Sequence, residues 1–184
     1  MIITRRRILE LIESGHIVSP RELVQENSVN VRLGADMWTA VVTGLGINLH
    51  EPRAFTELRP DGSGYWLQPR QVYIGTTADA HGTRLLGDGL AFVPEMRARS
   101  TTGRHGLTVA LCAGVGDVGY AGRWALEIIN NNREPVFVEI GTEIGQVVYH
   151  TATDTYPRDG YGGADRYQGD DGTIRFTPKA FDRP

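Results

Sequence analysis

Past residue 14 the chain stops repeating its apolar residues every three or four positions and begins to repeat them every two. Val29, Val31 and Leu33 alternate with Ser28, Asn30 and Arg32. Leu107, Val109 and Leu111 alternate with Thr108, Ala110 and Cys112, and Val136, Val138 and Ile140 with Phe137 and Glu139. Ile144 to Tyr149 reads as a further strand. A period of two puts successive side chains on opposite faces of a strand. Such runs are short here, and 23 glycines and 9 prolines punctuate them. That pattern predicts an all-β chain, a distorted barrel or jelly-roll-like sandwich. The exception is residues 5–14, a short amphipathic helix with Ile8, Leu11 and Ile12 on one face, Thr4 placed to cap it and Gly15 to end it.

At 184 residues the chain is long enough to bury a core and is read as a single domain over 1–184, with 158–184 as a tail. No apolar run approaches a membrane span, and Glu10 and Glu13 interrupt the N-terminal apolar stretch, so neither a membrane partner nor a signal peptide is expected. A single cysteine, Cys112, excludes an internal disulfide and suits a cytoplasmic location. The sequence has no CxxC and no HxE followed by PCxxC, the signature of zinc deaminases, so zinc is not expected. The five histidines show no metal-ligand spacing and read as structural or surface residues. A net charge of −3 argues against nucleic acid as a partner, and Trp38, Trp66 and Trp124 are therefore assigned to the core.

The polar residues concentrate in Arg97–Asn130, RARSTTGRHGLTVALCAGVGDVGYAGRWALEIIN. A strand containing Leu90, Phe92 and Pro94 leads into an Arg-Ser-Thr turn. Arg104 follows, then a Gly-Val-Gly-Asp-Val-Gly-Tyr turn and a lone Glu127. In WALEII the period of two sets Trp124, Leu126 and Ile128 on one face and Ala125, Glu127 and Ile129 on the other. Glu127 thus lies between apolar neighbours, where partial burial favours a carboxylate that shuttles protons. By residue type alone, Glu127 could be an ordinary solvent-facing strand residue, the Arg-Ser-Thr turn a polar cap, and Asp117 a hairpin former.

The order R-S-[ST]-x-[GA]-R-x-G-L, A-G-x-x-D-x-G-Y-x-G and L-E-[IL]-x-N resembles the dCTP deaminase branch of the trimeric dUTPase superfamily. The N-terminal blocks HIVSP and QENSVNVRLG extend the likeness to residues 1 to about 150, leaving 44–66 unmatched. The resemblance implies a dUTPase-like fold, a homotrimer with sites between subunits, and dCTP or dUTP as the nucleotide ligand. It implies hydrolysis of dCTP to dUTP and ammonia, with Mg2+ carried on the substrate phosphates. Glu127 would be the general base and Ser100 would orient the attacking water. Arg104 would serve the water network or the phosphates, with Arg99 and Thr101 further phosphate contacts. Ala113 and Gly114 would meet the pyrimidine edge. Tyr120 would pack beneath the deoxyribose and exclude a 2′-hydroxyl. Asp117 occupies the position that activates water toward the α-phosphate in dUTPases.

The tail resembles the family's K-Y-x-G-Q-x-G segment, so Arg166, Tyr167 and Gln168 would complete the triphosphate grip. Residues 158–172, poor in apolar side chains and rich in glycine, read as a mobile lid. The chain departs from the family pattern at Glu26, where Pro is usual, at Asn30 and Asp170, which replace Asp and Gln, and at Val118. A carboxylate at 170 repels phosphate unless a cation bridges them. The AGVGDVGY turn looks more like that of the bifunctional enzymes, which continue to dUMP and diphosphate, and this is the nearest rival reading. A non-catalytic nucleotide-sensing or partner-binding protein is the rival that the departures motivate. A pure dUTPase would leave Glu127 without a role.

Overall fold

The computed structural model describes residues 1–42, 44, 46–48, 53–109 and 114–153. The predicted helix is α1 (Arg5–Glu13), which buries Ile8 and Leu11 and packs Leu9 and Ile12 against the core. Gly15 ends it, its N–H reaching the Ile12 carbonyl at 3.1 Å. The expected Thr4 side-chain cap is not made. The Arg5 N–H, one of the first-turn donors with no partner inside the helix, donates to the Glu26 carbonyl at 2.7 Å.

Strands follow in chain order. After β1 (Ile17–Val18) and a 3-10 turn at Arg21–Leu23 come β2 (Val29–Ala40), β3 (Phe55–Glu57), β4 (Gly64–Leu67), β5 (Val72–Thr77), β6 (His81–Thr83) and β7 (Phe92–Ala98). A short helix, α2 (Ser100–Arg104), leads into β8 (Leu107–Val109), β9 (Ala121–Gly122), β10 (Ala125–Asn130), β11 (Val136–Glu139) and β12 (Glu143–Thr151). The largest sheet runs β7-β12-β2-β5-β10-β8, with β3 also on β2. A three-stranded sheet β1-β6-β9 and a β4-β11 pair complete the set, and every named pairing is antiparallel.

The large sheet curls until its ends nearly meet. Downstream of β8, Gly114 accepts the Met96 N–H at 2.5 Å and Gly116 donates to the Pro94 carbonyl at 2.8 Å, stitching that segment to β7. Gly116 is required at this seam, because a Cβ there would lie 2.6 Å from the Trp124 ring and 2.9 Å from Pro94. The interior is filled by Val29, Val31, Leu33, Met37, Leu67, Tyr73, Leu126, Ile128, Val147 and Tyr149. These include the inward sets predicted for β2 and β10.

Four strand-level expectations need correction. Trp38 on β2 is half-buried and stands outside the core. Trp66 is not core: it is 50% exposed and stacks against Phe137 at 5.0 Å on the outer face of the β4-β11 pair. A two-stranded ribbon with one face on the barrel leaves its other face uncovered, so alternation buries Leu67 and exposes its neighbour. Ile140 falls just past the end of β11 and is exposed. Leu90 precedes β7 rather than belonging to it, and is also exposed.

Candidate functional site

The Arg-Ser-Thr segment opens α2. Two hydrogen bonds fix its placement on β12: the Arg99 N–H and the buried Thr102 hydroxyl both donate to the Ile144 carbonyl, at 3.3 and 2.9 Å. Ile144 sits at an irregularity in the β12 ladder between Glu143 and Gly145, where one residue on β12 lacks an opposite number on β2. Arg99 and Ser100 then border a polar cleft of about 340 Å³ that is also lined by Gln25, Glu26, Asn27, Ser28, Asn30 and Gln146. Ser28 donates to the Gln146 side chain at 3.0 Å. The Asn30 amide donates to Glu143 at 2.9 Å, and Glu143 is also paired with the Arg99 guanidinium. Two of the family departures, Glu26 and Asn30, therefore stand in the same cleft as the phosphate candidate Arg99.

Not all the predicted residues share that cleft. Ser100 and Arg104 occupy opposite ends of α2. Arg104 faces a separate groove of about 330 Å³ bordered by His105 and Asn132–Val136. Thr101 is exposed and borders a third groove with Phe137 and Glu143. Glu127 lies on β10, opposite Ile74 of β5, with Leu126 and Ile128 buried on the inward face as the alternation predicted. Its side chain is half-buried, and Oε2 is enclosed without a hydrogen-bond partner among the described residues. A shielded carboxylate oxygen with no internal partner is set to accept a proton or hydrogen bond from a bound group.

Asp117 is exposed in the turn after the seam, where its carbonyl accepts the Tyr120 N–H at 3.1 Å. Tyr120 is half-buried, its ring edge-on to Trp124 at 5.5 Å and its hydroxyl donating to the Arg123 carbonyl at 2.9 Å. Gly114 spends its carbonyl on the seam. Ala113, Arg166, Tyr167, Gln168, Asp170 and the lid segment 158–172 lie outside the described residues.

Sequence reasoning missed the side chains that hold these parts together. Arg123 ties the start of β10 to its neighbours, donating to Asp36 and Thr76 at 2.7 Å each and to the Thr77 carbonyl at 2.7 Å. Arg32 makes a two-pronged pair with Asp79 at 2.8 and 2.7 Å, and this bond holds the Asp79 carboxyl below its ordinary range. His81, one of the five histidines that the spacing assigns to structural or surface positions, is wholly buried. Its Nδ1 lies 2.8 Å from the Ser19 hydroxyl, which lies 2.7 Å from the Tyr149 hydroxyl. Burial pushes His81 down to about 4. No local motif marks such contacts, since their partners are tens of residues apart.

A nearly closed antiparallel barrel, a short N-terminal helix and a seam carrying a Gly-rich Asp-Tyr turn define the dUTPase-like class of fold. A crystal structure of 2′-deoxycytidine 5′-triphosphate deaminase from Agrobacterium tumefaciens superposes with a TM-score of 0.60 at 20% identity, over 82% of this chain and 48% of that one. This chain thus spans about half the length of that solved relative. The dCTP deaminase-like family profile matches residues 2–152. Among curated relatives, the "dCTP deaminase, dUMP-forming" of Leptospira biflexa is 34% identical over 153 residues, covering 82% of each chain. A protein of the same name from Clostridium botulinum is 32% identical over 158 residues, covering 85% of this chain and 86% of its own. The chain belongs to the dCTP deaminase-like family. Among the described residues no helix is long and apolar enough to cross a membrane.

Proposed function

We propose that this chain deaminates dCTP and carries the product on to dUMP and diphosphate. The observation that carries the reading is the family match over residues 2–152, together with relatives named for dUMP formation. Of the two products weighed from sequence, those names favour dUMP over dUTP. The placement of Glu127 is the structural support: a half-buried carboxylate on β10, with one enclosed oxygen that has no partner among the described residues.

In this reading water adds to C4 of cytosine and Glu127 takes its proton. Glu127 delivers that proton to the ring nitrogen N3, then takes the proton of the new C4 hydroxyl and passes it to the departing amine. The C4–N bond breaks, ammonia departs, and a carbonyl remains. Ser100 orients the water. A second water attacks the α-phosphorus, with the exposed Asp117 accepting its proton and diphosphate leaving. Arg99 and Thr101 face the phosphates, and Tyr120 meets the deoxyribose. Mg2+ arrives on the triphosphate, whose charge it offsets. The protein acts as a homotrimer in the cytoplasm. The placement of Ser100 and Arg104 in separate grooves of one chain supports a site completed by a neighbouring copy.

The test is incubation with dCTP and Mg2+, with nucleotides and diphosphate separated by chromatography. dUMP and diphosphate in equal amounts are expected. dUTP alone would restrict the activity to deamination, and no turnover would overturn the reading.

A further inference from the structure

Asn30 stands where the family pattern carries Asp, and a lost carboxylate beside Arg99 would ordinarily count against function. The structure puts a carboxylate back from another strand. The outer faces of three adjacent strands meet here: Asn30 and Arg32 on β2, Glu143 and Gln146 on β12, Arg97 and Arg99 at the end of β7. The irregularity at Ile144 sets Glu143 opposite Arg32 while Gln146 stays opposite Asn30. Glu143 thereby reaches both the Asn30 amide, at 2.9 Å, and the Arg99 guanidinium. Asn30 is buried, and the Glu143 and Arg99 side chains are each about one-third exposed, at 35% and 33%.

The chemistry fits one carboxylate and no more. An amide at 30 can donate to Glu143, whereas a carboxylate at 30 would set two like charges within hydrogen-bond distance in a half-buried site. With Glu143 neutralised and Asn30 kept, Arg99 would lose its anionic partner and the bond that orients it. Arg99 borders the Ser100 cleft and Glu143 borders the neighbouring groove, so their pair forms the wall between the two.

We propose that Glu143 is a positioning residue for nucleotide phosphate binding: it supplies from β12 the carboxylate that the family pattern places at position 30, and holds Arg99 in place on the wall of the Ser100 cleft. The inference rests on the reading of that cleft as a phosphate site.

The test uses the full-length protein and four forms: wild type, Glu143→Gln, Asn30→Asp, and the exchanged pair Asn30→Asp/Glu143→Gln. Each is titrated with Mg2+-dCTP and with deoxycytidine, which lacks phosphate, and its melting temperature is recorded. Each single substitution should weaken dCTP binding about fivefold to tenfold, the loss expected for one partly exposed charge-assisted contact. Deoxycytidine binding should be unchanged. The exchanged pair should bring dCTP affinity back to within about twofold of wild type, because one carboxylate again faces Arg99. Three results would overturn the proposal: unchanged dCTP affinity in Glu143→Gln, equal weakening for dCTP and deoxycytidine, or an exchanged pair as weak as the single variants. If a single variant fails to melt cooperatively, the exchanged pair alone decides: near wild-type dCTP affinity supports the proposal and a fivefold or greater loss sinks it. A wild type that binds neither ligand overturns the nucleotide reading, and the inference with it.

Discussion

His81 makes the chain's stability depend on pH between about 6.5 and about 4. Its ordinary value is 6.5, and burial holds it at about 4 in the folded protein, with nearby Asp79 pulling it up and Arg32 pushing it down. The folded state therefore prefers the neutral imidazole, whose Nδ1 meets Ser19 and whose Nε2 is enclosed with no partner among the described residues. Because the folded value lies below the unfolded one, the unfolded chain binds the extra proton first as pH falls. The contribution is complete above about 6.5 and is lost progressively down to about 4. At roughly 1.36 kcal/mol per pH unit the loss sums to about 3 kcal/mol. That is a large part of the ~5–15 kcal/mol by which domains are stable. Urea unfolding at pH 7.5, 6.5, 5.5 and 4.5 measures it, comparing wild type with His81→Asn, whose side chain can still meet Ser19 but does not titrate. Asp79 also loses stabilisation in acid, since its folded value is lowered, but below its ordinary 3.8 and in both proteins. The wild-type advantage over His81→Asn should shrink by about 1.4 kcal/mol per unit below pH 6.5. A difference that stays constant from pH 7.5 to 4.5 would refute the argument, as would an NMR titration of His81 centred near 6.5.

Two further outcomes are expected. Glu127→Gln should retain dCTP binding and lose deamination by roughly 10²- to 10⁴-fold, read as single-turnover ammonia release, and near-normal turnover would remove Glu127 from the mechanism. Gly82→Ala should destabilise the fold by about 3 kcal/mol in thermal unfolding. Gly82 has a φ of +149° and an added Cβ would fall 2.0 Å from the Tyr120 carbonyl; a melting temperature equal to wild type would show that the β6-β9 contact yields more easily than the geometry implies.

The fold was legible wherever one face of an element is dry. α1, β2 and β10 each bury the residues that their periods pick out, and Glu127 falls on the outward face as alternation required. Trp66 defeated the pattern because a large apolar side chain carries no mark of which face of its ribbon is covered. The site was legible only in its local pieces. Arg99, Ser100 and Asp117 sit in recognisable turns, yet their supports are contacts between distant positions. Asn30 meets Glu143, Thr102 meets Ile144, and Arg123 meets Asp36. Read one residue at a time, Asn30 is only a departure from the family pattern. Only the pairing of β2 with β12 shows what stands beside it.

That pairing also governs the order in which the protein can be made. β2 borders β12 along its first residues, and Ile3 donates to the Tyr149 carbonyl at 3.0 Å, so the earliest part of the chain closes onto the last described strand. A ribosome adding about 5–20 residues per second leaves β2 without that neighbour for roughly 5 to 20 seconds. During that wait the β12-facing edge of β2 keeps its backbone N–H and C=O groups unpaired and open to any other nascent chain. Yield in the cell should therefore respond to translation speed and chaperone supply more than to the stability of the finished barrel.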